Sequence, residues 1–93
     1  MYRIAYAQSA RRALKRLRRS GSFKEAVFKE LLVLFMYNRS LPIHFQDHAL
    51  HGSFMEYREC HLGFNLLLLY ERDEVLKIIT IANIGTHPEL FGE

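Results

Sequence analysis

The sequence predicts an α+β fold in the order β-α-α-β-β-β, two N-terminal helices packed on a small, mostly antiparallel sheet. Three observations predict it. Apolar residues recur at steps of three and four through the first forty positions, the period of an amphipathic helix. After position 53 the pattern changes to short apolar runs separated by turn residues. One of those runs, Leu66 to Tyr70, is apolar at every position, which suits a strand covered on both faces at the centre of a sheet. With 93 residues, 49% hydrophobic and 25% charged, the chain is expected to form one domain, 1–93, around one core.

Each element has a local reason. Tyr2 to Ala7 is aromatic and partly β-branched and reads as a strand. Ser9 is a candidate N-cap for a helix over roughly 10–19. Ala10, Ala13, Leu14 and Leu17 give that helix one apolar stripe, and Ser20-Gly21 stops it. Ser22 with Glu25 has the spacing of a capping box that opens a second helix. Phe23, Val27, Phe28, Leu31, Leu32, Leu34 and Phe35 make it the main core helix, ending near Asn38, and Leu41-Pro42 then enforces an extended segment. Residues 43–53 read as an irregular loop. Phe54 to Leu62, Asn65 to Glu71 and Glu74 to Ile84 read as three strands joined by turns at Gly63-Phe64 and Arg72-Asp73. Pro88 to Phe91 is a short terminal turn.

Composition narrows the class of function. The longest apolar run, Leu31 to Tyr37, has seven residues, whereas a spanning helix needs about 20. No membrane segment is expected. The start lacks the basic, apolar, small-residue layout of a signal peptide, and the single cysteine, Cys60, has no internal partner. A reducing, cytoplasmic setting is therefore expected. The net charge of +3 hides an asymmetry. Residues 1–40 hold ten Lys/Arg and two acids, +8, while residues 41–93 hold three Lys/Arg and eight acids, −5. All five histidines fall in the second part. The front is thus a surface for a polyanion, and the back carries the groups that titrate near neutrality. Arg11, Arg12, Lys15, Arg16, Arg18 and Arg19 place six cations within nine positions, with no acid among them. Like charges at i,i+4 cost stability, so the run points to RNA or an acidic protein segment as partner.

The histidines offer two chemistries. His44 and His48 stand at i,i+4, a zinc spacing on a helix, but Pro42 and the missing helical period argue against a helix there. Acid–base work is the better reading. His61 lies on a strand, His87 just beyond another, and Asp47-His48 in the preceding loop. Imidazoles converging at one end of the sheet form a metal-free site for proton transfer, the chemistry that RNA phosphodiester cleavage needs. Glu59 reads equally as a histidine-orienting carboxylate or a surface ion-pair member. His44 and His51 read as solvent-facing loop residues, and Cys60 as a small core filler.

Three segments then fall into a pattern: Asp47-His48-Ala49-Leu50-His51-Gly52, Tyr57-Arg58-Glu59-Cys60-His61, and Gly85-Thr86-His87-Pro88-Glu89-Leu90-Phe91. In this order and at these separations they resemble the YafQ-type branch of the RelE/ParE toxin superfamily. The resemblance covers essentially the whole chain, with the N-terminal helices matching only in type and length. It implies a toxin of a type II toxin–antitoxin module: a ribosome-dependent endoribonuclease that cuts mRNA and halts translation, without cofactor or metal. It implies that His48, His61 and His87 carry the acid–base step and that Phe91 positions the RNA. It implies ribosomal RNA on the basic helices, and a cognate antitoxin whose acidic segment covers them and whose other part is a DNA-binding ribbon-helix-helix. Asp47 and Arg58 complete the candidate catalytic set, Arg58 reading equally as a cation for the transition state or as a hydrogen-bonding residue at the sheet edge. The chain departs from the family pattern at Asn65, where an Asp is usual, at Leu66, often Trp, and at Asn83, where an Arg is common. Those departures keep two rival readings in view, a gyrase inhibitor on the same scaffold and a toxin that only binds antitoxin or RNA.

Overall fold

Tyr70 and Phe35 face each other at 4.6 Å between ring centroids, and the rest of the fold is arranged around that contact. The computed structural model describes residues 1–92. Strand β1 (Arg3–Tyr6) leads into helix α1 (Gln8–Ser20) and helix α2 (Glu25–Met36). A 3-10 turn, Ile43–Phe45, precedes the two-residue strand β2 (His48–Ala49), and a second, Gly52–Phe54, follows it. Strands β3 (Arg58–Gly63), β4 (Leu66–Asp73) and β5 (Ile78–Gly85) and the short helix α3 (His87–Phe91) complete the chain. The sheet order is β1-β5-β4-β3-β2. Only β1 with β5 is parallel; the other pairs are antiparallel. The predicted α+β architecture is the one observed.

The helices cover one face of the sheet. Ala10, Ala13 and Leu14 of α1 and Phe28, Leu31 and Phe35 of α2 are buried against Cys60, Leu68, Tyr70, Ile79, Ile81 and Ile84. β4 lies in the middle of the sheet, with Leu67 to Tyr70 all buried, as its unbroken apolar run requires. Register shifts between Leu69 and Tyr70, where Leu69 pairs with Asn83 and Tyr70 with Ile81, so Ala82 bulges out of β5. The bulge turns Ile84 toward the core after Ile81 and frees the Ala82 carbonyl, which accepts the Ser9 hydroxyl at 2.6 Å.

That bond corrects one expectation. Ser9 does not cap α1; the helix starts one residue earlier, and Ser9 ties it to β5. The capping box at Ser22 does not form either. The N-cap of α2 is Lys24, with no side-chain cap, and Glu25 instead accepts from the Arg18 guanidinium. An Arg–carboxylate pair is roughly twice as strong as a neutral hydrogen bond, which explains the exchange. The strand ends also move. Phe54 lies in a 3-10 turn rather than in β3, and the β3–β4 turn falls at Phe64-Asn65. The β4–β5 connection runs over 74–77, held by Asp73, whose carboxylate accepts from the Val75 and Leu76 amides. Residues 43–53 are more ordered than a plain loop, because β2 finds a partner in β3.

The Tyr70 hydroxyl donates to Asp47, and burial first, then that hydrogen bond, push its ionisation above the ordinary tyrosine range. Tyr70→Phe is expected to cost about 1–2 kcal/mol in denaturant unfolding. Because the folded-state value is the raised one, Tyr70 contributes stability fully present below its unfolded value of about 10 and lost as pH rises past it. The variant is expected to lose stability less steeply above that pH than the parent chain, a comparison that urea titrations at pH 8 and 11 make.

Candidate active site

The site depends on how two strands alternate. Across the β2–β3 pair, His48 stands opposite Glu59 and Ala49 opposite Arg58. Successive side chains of a strand take opposite faces. His48 and Glu59 therefore share the face away from the helices, while Asp47 and Arg58 share the helix-covered face. Both pairs close. His48 Nε2 lies 3.2 Å from Glu59 Oε1, and His61 Nε2 lies 3.7 Å from the same oxygen. The two imidazole rings are 6.4 Å apart, with the carboxylate, only 6% exposed, between them. His48 Nδ1 sits 2.8 Å from the Gln46 carbonyl oxygen, which the left-handed backbone of Gln46 turns back toward the ring.

The opposite wall comes from α3. Thr86 caps that helix, receiving the Glu89 amide, while Glu89 receives the Thr86 amide at 2.8 Å. These bonds from Thr86 hold the Glu89 carboxyl below its usual range. Gly85 lies close beside them: a Cβ there would stand 3.0 Å from Glu89 Oε1 and press on the capping side chain. The cap fixes His87 as the first residue of α3, with its ring 4.8 Å from Phe91. Phe91 in turn stands edge-on to Phe54 at 5.1 Å. Between the walls lies a cleft of about 350 Å³ lined by His48, Leu50, His51, Phe54, Glu59, His87 and Phe91.

The structure thus brings His48, His87 and Phe91 into one cleft, with His61 behind Glu59 and beside it. It does not bring Asp47 and Arg58 there. Arg58 donates to both Asp47 oxygens, from Nε at 3.2 Å and from Nη2 at 3.1 Å, and Tyr70 adds its hydroxyl on the helix side. The hydrogen bond to Asp47 raises the Arg58 value further above its ordinary range. Asp47 and Arg58 are accordingly a clamp on the strand pair and do not line the cleft. Asn83 is turned on its own backbone, its Oδ1 accepting from the Ile84 amide at 2.9 Å. Cys60 is fully buried, and burial pushes its thiol up, as a core filler requires. Two cleft residues are weakly marked in the sequence. Glu59 reads two ways there, although its i,i+2 spacing to His61 puts both on one face. His51 lines the cleft rather than only facing solvent, and its place beside Gly52, near the presumed site, is the sequence signal for it.

The basic helix keeps its cations at the surface. Arg11, Lys15, Arg18 and Arg19 line a groove with Leu14 and Tyr6, and burial raises the Tyr6 value. Arg18 is shared with Glu25, and Arg16 reaches Glu89 at 3.6 Å, next to the His87 wall. Arg12 is exposed on the same helix.

Solved structures with this fold include toxins. A metal-bound toxin from Helicobacter pylori superposes with a TM-score of 0.89 at 27% identity, over 98% of this chain and 100% of that one. The YafQ chain of the Escherichia coli DinJ-YafQ complex gives 0.84 at 28%, over 99% and 100%. In sequence, the mRNA interferase toxin YafQ of Escherichia coli K12 is 29% identical over 93 residues, 98% of this chain and 92% of that protein. The model of the family described as bacterial toxin of type II toxin-antitoxin system, YafQ, matches residues 2–92. The chain belongs to that family.

Phe91→Ala removes the ring that links Phe54 to His87. Hydrogen exchange at residues 87–91 is expected to speed up while the β4 amides stay protected, with less than about 1.5 kcal/mol lost globally, the value of one aromatic pair.

Proposed function

We propose that this protein is an endoribonuclease that cleaves mRNA on the ribosome by imidazole acid–base chemistry. The observation that carries the proposal is the cleft, which His48 and His87 line together beside a buried carboxylate. Homologues named mRNA interferase support the reaction class. In the reaction, a base takes the 2′-OH proton and the oxygen attacks the adjacent phosphorus. The 5′ oxygen leaves with a proton from the acid, giving a 2′,3′-cyclic phosphate and a 5′-hydroxyl. Atoms and charge balance without a co-reactant.

The geometry favours an assignment of roles. The Gln46 carbonyl at Nδ1 orients the His48 ring, and its Nε2 lies within ion-pair distance of the Glu59 carboxylate. As an imidazolium, His48 supplies the acid proton and the positive charge that the phosphorane needs, a role for which the cleft lining offers no Lys or Arg. His87 is then the base, packed on Phe91, which also offers an aromatic face to a nucleobase. Glu59 is a positioning residue that holds His48 and links it to His61. The related toxin is metal-bound, but among the described residues of this chain no three His, Cys, Asp or Glu side chains are grouped to hold a metal ion. No step is routed through one. No helix among the described residues is long and apolar enough to cross a membrane.

Two partners complete the reading. The cations of α1 suit ribosomal RNA, whose phosphates dominate affinity. The solved complex of a related toxin with DinJ supports a cognate antitoxin for this chain, its acidic segment laid on the same helix.

Expression under tight control, with mapping of mRNA 5′ ends, tests the proposal. His87→Ala and His48→Ala are each expected to lower cleavage about 10²–10⁴-fold, the usual worth of a positioned acid or base. Identical growth and transcripts for parent and His87→Ala would sink it. Glu59→Gln is expected to lower the turnover rate with KM little changed; losing a charge-assisted hydrogen bond of about 1.5–3 kcal/mol corresponds to roughly 10–150-fold.

A further inference from the structure

The helix-covered side of the same sheet edge carries a second concavity, of about 610 Å³. Asn38, Arg39, Asp47, Arg58, Arg72 and Glu74 are among the residues around it. It is formed where the loop after α2 meets the start of β3 and the end of β4. Of its three guanidinium groups, only Arg58 has an acidic partner among the described residues, the bidentate Asp47. Arg72 has an aromatic neighbour instead, its guanidinium 5.8 Å from the Tyr70 ring centre. Its Nε is shut away from solvent without a hydrogen bond. A partly desolvated cation with an unmade bond is costly unless something anionic completes it. Arg39, on the loop, is exposed.

The position of this pocket says which anion. It lies back to back with the histidine cleft, since Asp47 and Arg58 are the chain neighbours of His48 and Glu59. The edge between them, β2, is only two residues long. A strand seated in the cleft passes over that edge, and the cleft lining offers its flanking phosphates a carboxylate and no permanent cation. Guanidinium forks match phosphate oxygens. We infer that the pocket binds a backbone phosphate of the RNA strand, flanking the phosphodiester held in the cleft, through Arg39 and Arg72. Arg58, already committed to Asp47, keeps the floor in place. The inference rests on the RNA-cleaving reading and adds a binding subsite to it.

The test uses the full chain carrying His87→Ala, so that a 5′-labelled single-stranded RNA 12-mer stays intact, with and without Arg39→Gln and Arg72→Gln. The double variant is expected to bind at least several-fold more weakly, and its log affinity to fall less steeply with log salt, by about 0.7 for each phosphate no longer neutralised. In a translating extract, with His87 present, it is expected to raise KM and leave the turnover rate nearly unchanged. Arg39→Gln alone, at an exposed position, keeps the test valid if Arg72→Gln disturbs folding, and is expected to give about half the change in slope. Unchanged affinity, slope and KM overturn the inference. So does a double variant that keeps its RNA affinity but loses binding to a poly-glutamate peptide, which makes the pocket a carboxylate site for an acidic protein segment. The RNA-cleaving reading fails separately, if His87→Ala cleaves like the parent chain.

Discussion

The pairing of a two-residue strand with β3 is the constraint on which the candidate site depends. Because side chains alternate, one register sets two ion pairs at once, Asp47 with Arg58 on the helix side and His48 with Glu59 on the other. A slip by one residue would exchange the faces, burying an imidazole against Tyr70 and exposing the carboxylate that Tyr70 holds. The helix-side pair therefore specifies the register, and the open-side pair uses it. This also explains why Arg58, plausible from sequence as a cation for the reaction, is occupied elsewhere.

The two halves of the cleft are fixed by different physics. The His48 wall is built around the buried Glu59 carboxylate, which has an imidazole within ion-pair distance on either side. Such a group is tolerable inside a fold only when partnered. The His87 wall is held by a capped turn and stacked rings, Thr86 and Glu89 setting the start of α3 and Phe54 bracing Phe91. Both walls carry a titratable carboxylate at their base, Glu59 under His48 and Glu89 under His87. Asn83, where the family pattern commonly has an Arg, is turned on its own backbone and brings no charge to the cleft.

The basic helical layer and the cleft are one surface rather than two. Arg16 of α1 touches Glu89 of α3, the residue that caps the helix bearing His87. The cations of α1 therefore stand directly beside the α3 wall of the cleft.

The order of the main elements, the core and the concentration of cations on α1 follow from the chain alone. Helical and strand periods encode which face is buried, and the six cations of α1 cannot be buried at all. That three histidines belong to one region is legible too, because their segments flank adjacent strands. Boundaries are less legible. Ser9 and Ser22 carry good local capping signals, yet a bulged carbonyl at Ala82 and the Arg18–Glu25 pair take their places, and both partners come from elsewhere in the fold. Packing in three dimensions settles what remains: the strand at His48–Ala49, the placement of Glu59 between two imidazoles, the inclusion of His51, and the removal of Asp47 and Arg58 to the far face. The reason is the same each time. Two residues hold no periodicity of their own, and which face a side chain takes is set by the register with a strand ten residues away.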